Sequence, residues 1–234
     1  MLDKRVASLA SAVAGIRDGS TVLIGGFGGS GIPVELIDAL IEQGAKDLVV
    51  ATNNAGTGHT DIAKLLELGR VRKIICSFPR SVGSVVFEQL WNEGKIELEL
   101  VPQGTLSERM RAAGAGIAGF YTPTSVGTQL AEGKEKRVFD GREYVLERPL
   151  KGDVALIKAE RADRWGNLTY RLAARNFAPT MAMAAELTIV QAKHIVELGD
   201  IKPEEVVTPG IFVDRVVHVP NPFDAGRARP ERKR

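Results

Sequence analysis

The amino-acid sequence predicts an α/β fold, built on an open, mostly parallel sheet with helices on both faces and carrying a small β-rich appendage. Two observations support this prediction. In the first half of the chain, short apolar runs typical of buried strands alternate with helical segments, which is the pattern of βαβ units. In the second half, an Asp-Gly pair separates two strand-like runs, which indicates a β-hairpin.

The elements of the first half follow one another at a regular spacing. Residues 4–17 carry apolar side chains at helical intervals, and Asp18-Gly19 ends that segment. Pro33 suits the first turn of the next helix, and Gly44 suits its C-terminal cap. The predicted strands are 21–24, 48–51, 73–76 and 96–101, and the helices that follow them are 33–43, 60–68, 83–92 and 105–113. Right-handed crossovers would bring the loops after these strands to one edge of the sheet.

The second half is richer in strand patterns. Runs 137–139 and 143–146 flank Asp140-Gly141, a pair favoured in type I′ turns. Further strands are predicted at 154–159, 168–170, 188–191 and 212–219. We predict one α/β domain over residues 1–220, with the β-rich appendage near residues 115–170. Residues 221–234 are predicted to be a flexible basic tail, for which a solvated terminus is favoured over a binding arm.

Composition disfavours several classes of function. The formal net charge of +2 gives no argument for nucleic acid, and no apolar stretch reaches the roughly 18 residues that span a bilayer. Cys76 is the only cysteine, so neither an intrachain disulfide nor a thiolate metal cluster is expected. His59, His194 and His218 are scattered without metal-ligand spacing, so no metal site is expected. With no signal-peptide pattern either, we expect a cytoplasmic protein.

A glycine-rich segment between a predicted strand and helix is the first candidate site: Gly25-Gly26-Phe27-Gly28-Gly29-Ser30-Gly31. Its backbone can approach a ligand closely, and the next helix would point its N-terminal amides at a phosphate or carboxylate. Residues 26–31 also fit the dinucleotide pattern G-x-G-x-x-G. A dinucleotide site is disfavoured because the second strand ends in Asn53-Asn54 rather than in an acidic residue. A tight turn without a ligand remains an alternative.

Polar amide side chains follow two other predicted strands. Asn53 and Asn54 end the second strand, where they could bind a ligand or cap the next helix. Gln103 follows the fourth strand, where its amide could stabilise a developing oxyanion or remain in water. Three polar, glycine-containing loops at successive strand ends therefore predict one shared site.

Residues 18–33 contain an Asp-Gly pair, an apolar run, Gly-Gly-Phe and a final Gly-Ile-Pro. This segment resembles the N-terminal signature of the family I coenzyme A transferases, and every specified position fits. The resemblance continues in order through Asn53-Asn54-Ala55-Gly56, Val101-Pro102-Gln103-Gly104-Thr105, Glu108-Arg109, Glu132-Gly133-Lys134, Asp163-Arg164-Trp165-Gly166-Asn167 and Ala174-Arg175-Asn176-Phe177. It covers the chain up to its C-terminal tail.

The resemblance implies the A (α) subunit of a two-subunit 3-oxoacid CoA-transferase, whose nucleophile is a glutamate of the B (β) subunit in a Ser-Glu-Asn-Gly motif. That motif is missing from this sequence, where the only Ser-Glu pair, Ser107-Glu108, is followed by Arg109-Met110. The implied reaction is a ping-pong exchange of thioesters, with coenzyme A as a substrate and no metal or permanently bound cofactor.

The resemblance also implies roles for individual residues. Gln103 would stabilise the tetrahedral oxyanion, and residues 25–31 would form the CoA-binding segment. From the polar loops themselves, Asn53, Asn54 and Asn176 are candidates for contact with the substrate or with the partner chain, and the partner is favoured for the loop of Asn176.

Two segments bear on the substrate. Residues 76–80 and 163–170 resemble 3-oxoadipate transferases more than succinate–acetoacetate enzymes. Arg80 would pair with the additional carboxylate of 3-oxoadipate, although a plain surface contact is the alternative. The implied partners are the B (β) subunit of the transferase, succinyl-CoA and a 3-oxoacid, and neither nucleic acid nor a membrane. Transfer to acetoacetate is the nearest alternative, and a sugar-phosphate isomerase or a ligand-binding regulator on a similar fold is a more distant one.

Overall fold

The structure, a computed structural model, describes residues 2–223. Its strands are β1 (Arg5–Val6), β2 (Thr21–Ile24), β3 (Leu48–Asn54), β4 (Val71–Phe78), β5 (Glu97–Leu100), β6 (Phe120–Thr122), β7 (Lys136–Phe139), β8 (Arg142–Glu147), β9 (Gly152–Asp163), β10 (Leu168–Thr169), β11 (Ala185–Val196) and β12 (Arg215–His218). Its helices are α1 (Leu9–Val13), α2 (Val34–Gln43), α3 (Asp61–Glu67), α4 (Val85–Asn92), α5 (Gln103–Gly114) and α6 (Ala178–Ala184).

The main sheet has the order β1-β12-β11-β9-β2-β3-β4-β5. All of these neighbours pair in parallel, and only β10, which pairs with β9, is antiparallel. The chain runs outward from β2 to β5, then returns to the other side of β2 and runs outward again through β9, β11 and β12. The boundary between β2 and β9 is therefore the point at which an open α/β sheet offers a crevice for ligands.

Two apolar cores cover the two faces of this sheet. Helices α1 to α4 pack on one face, and α5 and α6 pack on the other. In β2, Val22 and Ile24 point into the first core while Leu23 points into the second, as the alternation of a strand requires. The predicted open, mostly parallel sheet with helices on both faces is confirmed.

A separate antiparallel sheet of three strands, in the order β6-β8-β7, forms the small β-rich part. Its hairpin turn has positive φ at both central residues, 49° at Asp140 and 77° at Gly141, which confirms the predicted type I′ turn. The ion pair between Lys134 Nζ and the buried Glu147 carboxylate lies at its base. The sheet occupies residues 120–147, whereas β9, which lies inside the predicted range 115–170, is a central strand of the main sheet.

The N-terminal prediction is wrong in its element type. Residues 4–17 are not one helix, because Val6 pairs with Val217 at the edge of the sheet and α1 begins only at Leu9. Ser8 causes the break: its backbone is extended, and its hydroxyl accepts a hydrogen bond from Ser11 N. The apolar residues of this segment are therefore divided between two elements: Val6 lies in the edge strand β1, and Leu9 to Val13 form the short helix α1.

The C-terminal part is described only up to Phe223, whose N–H donates to Glu35 Oε1 and whose carbonyl oxygen accepts from Lys158 Nζ. The basic tail was predicted over residues 221–234, and its residues 224–234 lie outside the described residues. Within residues 2–223, every helix is too short or too polar to cross a membrane.

Candidate functional site

The end of β3 and the segments that follow β2 and β5 meet at the carboxyl edge of the sheet, as the sequence predicted, although β3 extends through Asn54 where a loop was expected. The Gln103 side chain reaches across from the start of α5, and its Nε2 donates to Asn53 Oδ1 at 2.9 Å. Asn54 Nδ2 lies 3.5 Å from the carbonyl oxygen of Gly28 in the glycine-rich loop. Hydrogen bonds thus join the three predicted loops directly.

Asn53 and Gln103 present amide donors at this edge. Asn53 Oδ1 accepts from both Gln103 and the Ser77 hydroxyl, the latter at 3.0 Å, and this fixes the orientation of the Asn53 amide. No acceptor among residues 2–223 takes the Asn53 Nδ2 hydrogens or the second Nε2 hydrogen of Gln103. Since Gln103 is exposed, neutral N–H donors remain available there for a ligand oxygen.

The glycine-rich loop is a tight turn. The backbones of Phe27 and Ser30 exchange two hydrogen bonds, each of 2.9 Å. Between them, Gly28 has a φ of 57°, which a residue with a side chain rarely adopts. Phe27 keeps 47% of its surface exposed beside the turn. The turn expected from the glycine content of this segment is therefore present.

Asn176 anchors the glycine-rich loop to the segment before α6. Its Oδ1 accepts from Gly26 N at 3.1 Å, and its Nδ2 donates to the carbonyl oxygen of Ala174 at 2.8 Å. Asn176 itself has a φ of 30°, a strained conformation of the kind found at functional sites. A Cβ atom on Gly31 would lie 2.4 Å from Asn176 Nδ2 and 2.5 Å from Ala174 O. Only glycine allows this close approach.

Gly31→Ala is therefore expected to lower the free energy of unfolding by about 3 kcal/mol, because a left-handed conformation and a steric clash add together. Gly28→Ala is the matched control, since its φ is also positive but a Cβ there would have no neighbour within 4 Å. That control should cost about 1 to 2 kcal/mol. Urea unfolding of both variants measures the difference, and equal losses would contradict the close packing of Gly31 against Asn176.

Arg80 lies in the loop after β4, at the same edge of the sheet. Its Nε pairs with Glu88 Oε1 of α4 at 3.1 Å, and 63% of its side chain is exposed. No hydrogen bond within the described residues joins Arg80 to Asn53, Asn54 or Gln103. The structure therefore places Arg80 on the rim and does not bring it into the amide cluster.

Sequence reasoning missed two polar residues behind this cluster. Ser77 lies inside β4, where a lone serine carries no functional signal. Asp61 begins α3 with a φ of 47° and is 3% exposed. Burial raises the pKa of Asp61 to about 6, although the Ile62 amide donates to the carboxylate and opposes this shift. Asp61 Oδ1 would lie 3.0 Å from a Cβ atom on Gly56, and the Gly56 N–H donates to Asn54 Oδ1 at 2.9 Å. This carboxyl group therefore lies close behind the Asn54 segment.

Other reactive groups do not join the site. Cys76 is fully buried, and this burial raises the pKa of its thiol to about 12, so the thiolate nucleophile is not available near neutral pH. Across residues 2–223, no three His, Cys, Asp or Glu side chains are grouped so that they could hold a metal ion.

Comparisons with known proteins identify the family of this chain. A family model described as "Coenzyme A transferase" matches residues 6–219. The A subunit of the 3-oxoadipate CoA-transferase of Pseudomonas putida is 61% identical over 94% of this chain and 95% of its own length. The A subunit of the succinyl-CoA:3-ketoacid coenzyme A transferase of Helicobacter pylori is 46% identical over 92% of each chain.

A solved structure shows the same fold in a longer chain. The acyl-CoA transferase of Escherichia coli O157:H7, in a thioester complex with CoA, superposes with a TM-score of 0.84 and 25% identity over 97% of this chain. This chain spans 52% of that protein, about half of its length.

Proposed function

We propose, from the premise that this chain belongs to the coenzyme A transferase family, that it is the A subunit of a two-subunit enzyme. The enzyme moves coenzyme A from succinyl-CoA to 3-oxoadipate. The observation that carries this proposal is the 61% identity, over nearly the full length of both chains, to an A subunit of that activity. The identity to two A subunits of succinyl-CoA:3-ketoacid transferases, one of them named as probable, is 50% and 46%.

The proposed reaction needs a nucleophilic glutamate from the partner chain, the B subunit. That carboxylate attacks the carbonyl carbon of succinyl-CoA, forms a mixed anhydride and releases the CoA thiolate. The thiolate then attacks the glutamyl carbonyl, which gives a glutamyl-CoA thioester and free succinate. The carboxylate of 3-oxoadipate repeats the two steps in reverse and leaves as its CoA thioester. Each thioester bond that breaks is replaced by another, so no external energy source is required.

The role of this chain is to stabilise the oxyanion formed in each of these steps. Gln103 and Asn53 offer neutral N–H donors, held in position before the substrate arrives by the hydrogen bond between them and by Ser77. Donors that are fixed in advance stabilise developing negative charge without reorganising during the reaction. The glycine-rich loop, tied to Asn54 and Asn176, forms the adjoining wall for the CoA thioester.

Arg80 is proposed to select the dicarboxylic acceptor. Its guanidinium pairs with Glu88 on an exposed surface, where such a pair contributes little to stability, so the side chain can turn toward a substrate carboxylate at small cost. Arg80→Ala is expected to lower kcat/KM for 3-oxoadipate about tenfold and to leave kcat/KM for acetoacetate within about twofold, because only 3-oxoadipate carries the second carboxylate.

The measurement follows succinyl-CoA consumption by the assembled two-subunit enzyme with each acceptor. Arg137→Ala is the matched control and should change neither value. Arg137 pairs with Glu135, and their side chains are 61% and 46% exposed, close to the 63% and 46% of Arg80 and Glu88. A wild-type enzyme that prefers acetoacetate would overturn the proposed substrate. Equal losses with both acceptors would instead remove Arg80 from its proposed role.

A further inference from the structure

Helix α4 begins at a serine whose hydroxyl does not cap it. Ser84 is the N-cap residue of α4, a position at which a serine hydroxyl normally accepts from the second or third amide of the helix. That hydrogen bond is missing here, and the Ser84 hydroxyl instead donates to the carbonyl oxygen of Gly56 at 2.8 Å. Ser84 is only 5% exposed. A buried serine used in this way needs a reason other than helix capping.

The Ser84 hydroxyl also holds the loop that precedes it, residues 79–84, here termed the Arg80 loop. Ser81 N donates to Ser84 Oγ at 3.0 Å. Ser81 Oγ lies 2.9 Å from the same oxygen, and it must be the donor, because the single hydrogen of the Ser84 hydroxyl is directed at Gly56. One hydroxyl therefore fixes a turn of the Arg80 loop and joins that loop to the segment 55–58.

A second hydrogen bond joins the same two segments, since Gly58 N donates to the carbonyl oxygen of Gly83 at 2.8 Å. Apolar contacts contribute little to the position of the Arg80 loop. Among the described residues, none from 79 to 84 belongs to either apolar core, and Val82 is 99% exposed. A loop without buried apolar contacts is held by a few polar bonds and opens easily when one is lost. The position of the Arg80 loop therefore depends mainly on these two hydrogen bonds.

The segment 55–58, by contrast, is fixed independently of the Arg80 loop. Ala55 is buried in the apolar core that includes α3. A Cβ atom on Gly56 would lie 2.4 Å from Ala63 N, so the Gly56 backbone packs directly against α3. Gly56 N also donates to Asn54 Oδ1 at 2.9 Å. Release of the Arg80 loop should therefore leave the amide cluster in place.

We propose that Ser84 is a positioning residue for acceptor specificity: its hydroxyl fixes the Arg80 loop on the segment 55–58 and thereby keeps the Arg80 guanidinium on the rim of the site. This inference rests on the proposed function and deepens it, because it names the residue on which the selection of a dicarboxylic acceptor by Arg80 depends. The pair of Arg80 with Glu88 is exposed and can be exchanged for a substrate carboxylate at small cost. A loop already in place spares the acceptor the cost of ordering it.

Ser84→Ala in the assembled enzyme is expected to lower kcat/KM for 3-oxoadipate about fivefold to tenfold, the scale of one lost hydrogen bond that leaves a carbonyl unpaired. Its kcat/KM for acetoacetate should stay within about twofold, because acetoacetate has no second carboxylate for Arg80 to bind. The double variant with Arg80→Ala should have the same kcat/KM for 3-oxoadipate as Arg80→Ala alone, since Ser84 acts only through Arg80. Equal losses with both acceptors, or losses that add in the double variant, would overturn the proposal.

Thr188→Val separates this effect from a general loss of stability. Thr188 is fully buried near the start of β11, and its hydroxyl donates to the carbonyl oxygen of Ala182 at 3.1 Å, so this variant also removes a buried hydrogen bond between a hydroxyl and a carbonyl. Its free energy of unfolding in urea should fall about as far as that of Ser84→Ala, while the ratio of its two kcat/KM values should equal that of the wild type. A ratio shifted as in Ser84→Ala would show that instability alone changes the selectivity, and the proposal would be rejected.

Hydrogen exchange of backbone amides tests the hold on the loop without measuring activity. In Ser84→Ala, the Gly58 amide should exchange at least about tenfold faster, because its acceptor, the Gly83 carbonyl, moves away with the Arg80 loop. The Gly56 amide, which donates to Asn54, should exchange as in the wild type. Unchanged exchange at Gly58 would contradict the proposed role of the Ser84 hydroxyl.

The outcomes also distinguish this proposal from the function on which it rests. A selective loss in Arg80→Ala without any loss in Ser84→Ala would overturn the role of Ser84 and leave the transferase activity and the role of Arg80 intact. An assembled enzyme that transfers no CoA to either acceptor would overturn the proposed function instead. In that case the exchange at Gly58 still decides whether Ser84 holds the loop, since faster exchange in Ser84→Ala supports this and an unchanged rate rejects it.

Discussion

The purified chain by itself is expected to transfer no coenzyme A. The rate of transfer should rise by at least about 10⁴-fold when the partner chain is added, because an enzyme that lacks its nucleophile loses activity on that scale. Within the described residues, the cluster of Asn53, Asn54 and Gln103 presents amide groups, while the nearby Asp61 and Cys76 side chains are buried and cannot attack a thioester. Glu108, in the only Ser-Glu pair of the sequence, projects from the middle of α5, where its Oε2 accepts from Arg111 Nε at 2.7 Å. It is an ordinary surface ion pair of a helix.

The measurement titrates this chain with a candidate second subunit, chosen because its sequence contains Ser-Glu-Asn-Gly, and follows succinyl-CoA consumption. The rate should saturate at a fixed ratio of the two chains, and the second chain should also be inactive when tested alone. Glu108→Gln is the matched control and should retain the full rate of the mixture. Activity from this polypeptide alone, abolished in Glu108→Gln, would overturn the assignment to a two-chain enzyme.

The sequence predicted the local parts of the fold because they depend on short-range chemistry. Gly44 ends α2 with a φ of 98°, and Asp140-Gly141 turns the hairpin, each for reasons that neighbouring residues determine. The order of the strands could not be predicted in the same way. The pairing of β9 with β2, and of β1 with β12, joins segments far apart in the chain through apolar surfaces that many other strands also offer.

The candidate site was predictable where it follows from topology. Asn53 and Gln103 were expected to meet because the first ends a parallel strand and the second follows one, and their hydrogen bond confirms the meeting. Ser77 gave no signal, because its hydrogen bond to Asn53 joins it to another strand, and sequence alone does not reveal that contact. Arg80 lies at the predicted edge of the sheet, but its side chain pairs with Glu88. Sequence could not predict this pairing, because no motif specifies the loop conformation that directs the Arg80 side chain.

Gln103→Ala is expected to lower kcat about tenfold to 100-fold while the two subunits still assemble, as found when one donor to an oxyanion is removed. Gln103 is exposed at the first position of α5 and belongs to neither apolar core, so its loss should leave stability nearly unchanged. Asn53 Oδ1 keeps its hydrogen bond from Ser77 in the variant. The KM for succinyl-CoA should also change little, because the oxyanion exists only in the transition state and in the intermediates that follow it.

Two further substitutions identify the N–H donor as the cause. Gln103→Glu keeps the size of the side chain but replaces the donor with a carboxylate, so its kcat should fall at least as far as that of Gln103→Ala. Gln89→Ala is the matched control, because Gln89 is also a glutamine whose Nε2 donates to an acceptor, Glu93 at 3.0 Å, but it lies on α4 away from the amide cluster. Its kcat should equal that of the wild type. Wild-type kcat in Gln103→Ala would exclude Gln103 from the reaction, and a rate retained in Gln103→Glu would show that side-chain volume, rather than an N–H donor, is what the site requires.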